Sequence, residues 1–377
     1  MRLLFFGGST VQKIGIYIHI PFCRGKCPYC DFYSCRAGEE DFDNYVTALK
    51  TYIKAWAEKI GAAADTLYIG GGTPSVIGAD RLCKIIKCVD KNFGAADEMT
   101  VECNPSLKEK DFFKKINSVG VNRISLGMQS ANDGERRALG RIAGVADVDS
   151  CISQSIAGGI DNISLDIMLG IPNQTEKSLK ETLRYCVSSG AKHISAYMLK
   201  IEEGTLFYKK QNTLPLPSDD LTADFYLQTV DSLARGGFKQ YEISNFAVPG
   251  YESRHNLKYW NCEDYLGIGP SAHSFLGGKR FYYGRDLIAF ENVCEPVQDG
   301  TGGDLQEYIM LRLRLCEGIV FDEIKDRFAG FDIAKFEPLF SEFVKASYAE
   351  ADNKSFRLTA KGFLISNMII TEILSRI

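Results

Sequence analysis

Three cysteines set close together are the residues of this chain best placed to do chemistry. They stand at positions 23, 27 and 30 in YIHIPFCRGKCPYCDFYS, a C-x3-C-x2-C spacing directly after a strand-like run. Thiolates are soft ligands, suited to zinc or to iron–sulfur clusters. A closed structural zinc site asks for four protein ligands, usually as two CxxC pairs. No second pair follows here, His19 lies back in the strand, and Cys35 comes too late to fit the pattern. Cys23, Cys27 and Cys30 are therefore expected to hold an iron–sulfur cluster with one iron left open. An open iron can bind the amine and carboxylate of S-adenosylmethionine and pass one electron into the sulfonium, breaking a C–S bond. The plain alternative is three unrelated core cysteines. Spacing, loop position and the flanking Pro and Gly residues argue against it.

Such a ligand needs a cradle, and the elements around the loop supply one. GGGTP (70–74) follows the next strand-like run, TLYIG (66–70), and its missing side chains allow close backbone approach. Further on, a phrase recurs: helix, Gly, then a short strand ending in Ser. It appears at 118–125, 158–164, 188–195 and 235–244, with Gly120, Gly159, Gly190 and Gly237 as natural helix C-caps. Strands also fit GIYIHI (15–20) and EMTVEC (98–103). Phe42, Tyr45, Val46, Leu49, Ile53 and Trp56 recur at three- and four-residue steps and give one apolar helix face. Strand alternating with helix implies parallel strands with helical crossovers. Six such units precede Leu199, fewer than a closed eight-stranded barrel needs. The expected fold class is α/β: an open, partial (β/α)6 barrel of TIM type. A doubly wound open sheet would give the same string of elements.

After about residue 250 the texture changes. Residues 1–250 read as the barrel domain, 251–303 as a connecting segment rich in Gly, Tyr and Phe, and 304–377 as a smaller, mostly helical C-terminal domain. Helices followed by the short SFRLT suggest a winged-helix-like module there, with a plain helical cap as the alternative.

Bulk properties narrow the function classes. The 377 residues carry a formal net charge of −4 and no basic stripe, which argues against nucleic acid as a partner. No apolar run approaches the ~20 residues that span a bilayer, and the opening MRLLFFGGST lacks the pattern of a signal peptide. A cytoplasmic location is expected. In that reducing setting disulfides are not expected, and several of the nine scattered cysteines, out of twelve, fall in apolar helical patterns and read as core residues.

Taken in order, CRGKCPYCDF, GGGTPS, VECNP, RISLGMQS, LDIMLGIP and YEISNFA resemble the oxygen-independent coproporphyrinogen III oxidase family of radical S-adenosylmethionine proteins. The resemblance runs from about Ile14 to the C-terminus. Two features resemble the heme chaperone branch rather than the decarboxylases. Phe32 stands where the decarboxylases carry another cysteine, and HNLKYW (255–260) matches an HNxxYW motif. The resemblance implies a 4Fe-4S cluster on Cys23, Cys27 and Cys30. It implies an S-adenosylmethionine site that includes Tyr17, Tyr29, Gly71, Gly72, Thr73, Glu102, Gln129, Arg141 and Asp166. Each of these alone would more often be a structural hydrogen-bonder; it is their recurrence after successive strands that points to a site. The family often has a His soon after LGR; this chain has Ile142 and Ala143 there.

The resemblance also implies heme as cargo, passed to an acceptor protein that the sequence does not name. Heme iron is held by His, Cys, Met or Tyr. Of the four histidines, at 19, 193, 255 and 273, His255 is the first candidate, since Tyr259 and Trp260 could pack a flat macrocycle. His273 is its rival, a scattered thiolate is possible, and HNLKYW could instead be a structural lid with His255 hydrogen-bonded. Two enzyme readings stand beside the carrier: oxidative decarboxylation of coproporphyrinogen III to protoporphyrinogen IX, and radical methylation of heme.

Overall fold

The computed structural model describes residues 12–376. The opening MRLLFFGGST therefore lies outside the described residues. Six strands succeed one another with helical crossovers: β1 (Lys13–Ile20), β2 (Ala63–Gly71), β3 (Glu98–Cys103), β4 (Arg123–Gln129), β5 (Asn162–Leu169) and β6 (His193–Met198). They pair in parallel and in sequence order, each with the next. A doubly wound sheet reverses its order part-way; this one does not, so the sheet curls in one direction as a partial barrel.

The helix Glu39–Ile60 shows how the outer layer forms. Its buried face includes Phe42, Tyr45, Val46, Leu49, Ile53 and Trp56, and Gly61 ends it in a left-handed conformation at φ 65°. Along the strands alternate residues turn outward into this helical layer: Ile14, Ile16, Ile18 and Ile20 on β1, Ile124, Leu126 and Met128 on β4, Ile163, Leu165 and Ile167 on β5, all buried. The intervening residues face the barrel interior, and they are polar or glycine. Gly15, Tyr17 and His19 alternate on β1, Thr66, Tyr68 and Gly70 on β2, Thr100 and Glu102 on β3, Arg123 and Ser125 on β4. A closed barrel fills this space with branched aliphatic side chains. Here it is a polar chamber. The serines that end the repeated phrase belong to it: Ser125 lies beside Ser164, and Ser195 beside Asp166.

Three of the four repeats become parallel strands after a left-handed glycine. The fourth departs from this. After Gly237 the chain makes a short antiparallel hairpin, β7 (Lys239–Gln240) and β8 (Asn245–Ala247), and β8 runs antiparallel to β6. Residues 251–303, expected as a connector, also build regular structure. They hold a helix, Arg254–Trp260, and four strands: β9 (Tyr265–Ile268), β10 (His273–Leu276), β11 (Lys279–Tyr282) and β12 (Val297–Thr301). β9 pairs in parallel with β1, so this segment extends the barrel sheet from its first strand. The strands are four or five residues long, too short to show a period in the sequence. Beyond residue 304, helices surround a small antiparallel sheet of β13 (Ile319–Val320), β14 (Ala349–Ala351) and β15 (Ser355–Leu358), with β15 in the middle. No helix among the described residues is long and apolar enough to cross a membrane.

Candidate functional site

The cysteine loop leaves the C-terminal end of β1 and is pinched at its neck. The Cys23 amide donates to the Cys35 carbonyl at 3.0 Å, and the Cys35 amide donates to the Pro21 carbonyl at 2.8 Å. The Cys35 thiol is spent on that same Pro21 carbonyl, at 3.4 Å. Cys23, Cys27 and Cys30 are free thiols on the loop so formed, each partly exposed. Burial pushes the Cys30 thiol up, and the nearby Cys27 and Cys23 sulfurs push it the same way. Among the described residues no three His, Cys, Asp or Glu groups converge as ligands of a single ion would. Thiolates that each hold a different corner of an iron–sulfur cube have no such need.

The glycine turn after β2 is fastened to this loop through the backbone. The Gly72 amide donates to the Ile20 carbonyl and the Thr73 amide to the Phe22 carbonyl, both at 2.8 Å. A Cβ on Gly72 would stand 2.7 Å from the Phe22 oxygen, and one on Gly71 would stand 2.6 Å from the His19 ring. Only glycine permits this approach. The Thr73 hydroxyl lies 3.3 Å from Cys23 Sγ. His19 braces the assembly from beneath: its Nε2 bonds the Tyr33 carbonyl at 3.0 Å and its Nδ1 lies 3.1 Å from the Tyr17 hydroxyl. Burial holds its pKa down to about 4, so the ring is neutral and Nδ1 accepts from Tyr17.

Two carboxylates face the chamber below. Glu102 accepts from the Tyr68 hydroxyl at 2.9 Å and from the Gly71 amide at 3.1 Å. Burial, aided by the nearby Asp166, raises its pKa to about 7. Asp166 accepts from the Ser125 hydroxyl at 2.9 Å and is raised by burial. On the other side of the loop, Arg141 donates to the Tyr29 hydroxyl from Nε at 3.2 Å and from Nη2 at 2.9 Å. Burial pulls the Arg141 pKa down, but Tyr29 and the Cys27 and Cys30 thiols outweigh it and raise it. Gly140, left-handed at φ 70°, lets the LGR turn sit against Pro28 of the cysteine loop. A bulge between Gly127 and Gln129, with Gln129 itself at φ 70°, brings the Gln129 amide back over Gly127. Positive φ at a glutamine is strained, and such strain collects at functional sites.

A cavity of about 420 Å3 adjoins this group, lined by Cys27, Thr73, Gly127 and Arg141. Its size is in the range of sites that bury a small-molecule ligand, ~300–1,000 Å3. Free soft donors, a backbone cradle that a Cβ would fill and an adjoining cavity together fit a cluster with S-adenosylmethionine. Ser75, Asn104 and Ser106 also line the cavity. They had no spacing to mark them in the sequence, although Asn104 belongs to VECNP. Ile142, where the family often has His, stands almost fully exposed, 98%, at the rim.

His255 is placed at the opposite end. The helix Arg254–Trp260 packs under the N-terminal ends of β2 and β3. His255 Nδ1 lies 2.8 Å from the Thr66 hydroxyl and Nε2 lies 2.8 Å from the Tyr259 hydroxyl. Its amide donates to Glu98 at 3.0 Å, and its ring stacks on Tyr68 at 5.4 Å. As first candidate for iron it meets an obstacle: both ring nitrogens are engaged and the residue is 1% exposed. Lys258 beside it binds Asp65 at 2.8 Å and Glu263 at 3.0 Å. His273 is exposed, stacked on Tyr282 at 5.0 Å, and His193 is buried between Ser164 and Tyr241 at 2.8 Å each.

Comparisons with known proteins bear on the family. The model of the radical SAM superfamily matches residues 17–186. The heme chaperone HemW of Escherichia coli is 39% identical over 96% of this chain and 98% of its own. The heme chaperone HemW of Lactococcus lactis is 31% identical over 95% of this chain and 96% of its own, and that of Bacillus subtilis 32% over 94% and 97%.

The chain belongs to the HemW family of radical SAM proteins.

A solved structure of coproporphyrinogen III oxidase (HemN) from Escherichia coli, described as a radical SAM enzyme, superposes with a TM-score of 0.82 at 22% identity. It covers 96% of this chain and 90% of that one, and at that identity the likeness speaks for the fold. Against the HemW family background, Phe32 gains meaning. It stands next but one to Cys30, 69% exposed, where the resemblance places a further cysteine in the decarboxylases.

Proposed function

We propose that this protein is a heme carrier, which binds heme and passes it to an acceptor protein while holding a 4Fe-4S cluster and S-adenosylmethionine at the barrel mouth. The observation that carries this reading is kinship along nearly the whole chain, 31–39% identity, with proteins named heme chaperone HemW. Phe32 in place of the further cysteine supports it. In this reading the carrier works in the cytoplasm, and its acceptor can be membrane-bound.

Each group at the mouth has a task in this reading. Cys23, Cys27 and Cys30 hold the cluster. Gly71, Gly72 and Thr73 present backbone to the methionine amine, and Glu102 and Asp166 accept from amino or ribose hydroxyl groups. Arg141, with Gln129 near it, pairs with the carboxylate, and Tyr17 and Tyr29 line the site. When bound, the cluster supplies an open iron for the methionine end of the ligand and an electron for its sulfonium. Tyr29, its pKa raised by burial to about 12, stays protonated beside the thiolates.

His255 remains the candidate heme ligand, on condition that Nε2 leaves the Tyr259 hydroxyl. Burial, with Lys258 and Arg123 nearby, holds its pKa down to about 3, so the imidazole is in the neutral form that binds metals. Exchange of an internal hydrogen bond for iron makes binding conditional, as release to an acceptor requires. A second reading is coproporphyrinogen decarboxylation, the activity in the name of HemN, whose fold this chain shares.

One experiment separates them. The anaerobically reconstituted protein is given S-adenosylmethionine with coproporphyrinogen III, and separately hemin. The carrier reading expects no carbon dioxide or protoporphyrinogen, and a Soret band that shifts in His255→Ala but not in His273→Ala. Catalytic turnover would overturn it.

A further inference from the structure

Among the described residues three arginines are almost fully buried: Arg123, Arg136 and Arg312. Two of them have partners. Arg136 pairs with Asp133 and donates to the Ser130 carbonyl at 2.6 Å. Arg312 pairs with Glu317 at 2.7 Å and Glu323 at 3.5 Å. Arg123, 2% exposed, forms no ion pair among the described residues. Its one hydrogen bond is a long one, from Nη1 to the Thr100 hydroxyl at 3.5 Å, and its Nε has no partner. Beside it in register on β5 is Asn162, whose Oδ1 is also buried without a partner. The two ends of an amide exchange by a simple flip, so Asn162 can equally present its NH2.

A guanidinium removed from water and left unpaired is costly, and native chains rarely keep one without a use. Arg123 occupies the floor of the polar chamber. It shares one layer of the barrel with Tyr17, Tyr68 and Thr100, successive register partners across β1 to β4. The Tyr17 and Tyr68 rings lie 6.2 Å apart, tilted by 32°. Tyr17, Tyr68, Glu102 and Asp166 all keep some solvent contact, so the chamber opens upward to the mouth. Glu102 and Asp166 lie above Arg123, and neither pairs with it among the described residues; burial raises the pKa of both. The floor thus joins a planar fork of donors, without an ion-pair partner among the described residues, to the aromatic layer of Tyr17 and Tyr68.

We propose that Arg123, with Asn162 beside it, receives a carboxylate of the ligand that enters the barrel, and that this ligand is a porphyrin bearing propionate side chains. The assignment rests on the heme-binding reading and deepens it: the aromatic layer accepts the flat macrocycle, and the guanidinium fork takes a propionate.

The test compares hemin with hemin dimethyl ester, and metal-free protoporphyrin with its dimethyl ester, by Soret and fluorescence titration of the cluster-reconstituted protein. Wild type should bind each free acid roughly 10- to 100-fold more tightly than its ester, the span expected of one charge-assisted carboxylate contact. Arg123→Gln should erase that preference, and Arg123→Lys should keep part of it. Equal affinity for acid and ester in wild type would overturn the assignment and leave the heme reading standing. An undiminished preference in Arg123→Gln would also overturn it. Failure of the wild-type protein to bind any of the four probes would sink the heme reading and this assignment together. The ester comparison needs no variant, so it holds even if Arg123→Gln does not fold.

Discussion

The two ends of the barrel are built on opposite rules. At the mouth, the side chains offered to a ligand are only partly committed: three free thiols, two carboxylates shifted toward their neutral forms, and an arginine whose bonds go to a tyrosine hydroxyl. What is fixed there is backbone, through the bonds that tie the glycine turn to the cysteine loop. At the base the side chains themselves are tied down. His255 spends both nitrogens and its amide, and Lys258 meets two carboxylates while almost fully buried. One set of strands therefore supports a receptive end and a sealed end. At the mouth the side chains are left free for a ligand, and at the base they are committed to one another, so a ligand that reaches His255 must displace the Tyr259 hydroxyl from Nε2; Arg123, the first residue of β4, is the exception, buried yet uncommitted.

Replacing Cys27 with Ser should have the largest effect and confine it to the mouth. Most of the visible absorption of the reconstituted cluster should vanish, with little change in thermal unfolding of the apoprotein. Unchanged iron and sulfide content would show that the ligands are elsewhere. Lys258→Met should do the reverse. It leaves Asp65 buried without its cation, and loss of one partner of a buried pair costs ~3–5 kcal/mol. Urea unfolding should register most of that loss, while the iron content per folded protein stays the same. A change below about 1 kcal/mol would mean that the base is not the sealed end described.

Gly72→Ala sets a methyl against the Phe22 and Ile20 carbonyls, at 2.7 and 2.9 Å, and these are backbone atoms with little room to move. S-adenosylmethionine affinity should fall about tenfold, corresponding to ~1.4 kcal/mol, measured by equilibrium dialysis on the cluster-loaded protein. Normal affinity would remove the turn from the site. The last effect, spread along the pH axis, concerns Glu102. Its folded pKa, about 7, lies above the ordinary carboxylate value. Between about pH 4.5 and 7 the folded chain holds a proton that the unfolded chain has lost, so apoprotein stability falls as pH rises through that window. The contribution is about 1–3 kcal/mol, reduced by the solvent contact of the side chain. Glu102→Gln should flatten that part of the pH–stability curve. A slope identical to wild type would contradict the assignment of the raised group.

The mouth was far more legible in the sequence than the base. Cysteine spacing, a glycine triplet and the repeated glycine caps are local signals, each imposed by backbone geometry within a few residues. Gly120, Gly159, Gly190 and Gly237 all take positive φ, as the repeats require. The fourth repeat misleads because a left-handed cap ends a helix without dictating the direction of the next strand; β8 turns back against β6. β9 to β12 were hidden by their shortness and because β9 joins a strand some 250 residues earlier, at Gly15↔Tyr265. Arg123 passed as one residue of RISLGMQS. Its isolation becomes visible only when β3, β4 and β5 lie side by side, since what marks it is the partner it lacks. His255 was conspicuous in its motif, but the bonds to Thr66 and Glu98 that seal it depend on long-range packing.

The central claim is that the mouth holds a cluster with one iron open to S-adenosylmethionine. Electron paramagnetic resonance of the reduced, reconstituted protein before and after addition of S-adenosylmethionine tests it most directly. The expected result is a 4Fe-4S signal whose g values shift when the ligand binds, and whose shift is weakened in Gly72→Ala. A signal that S-adenosylmethionine leaves unchanged in the wild-type protein would contradict the account.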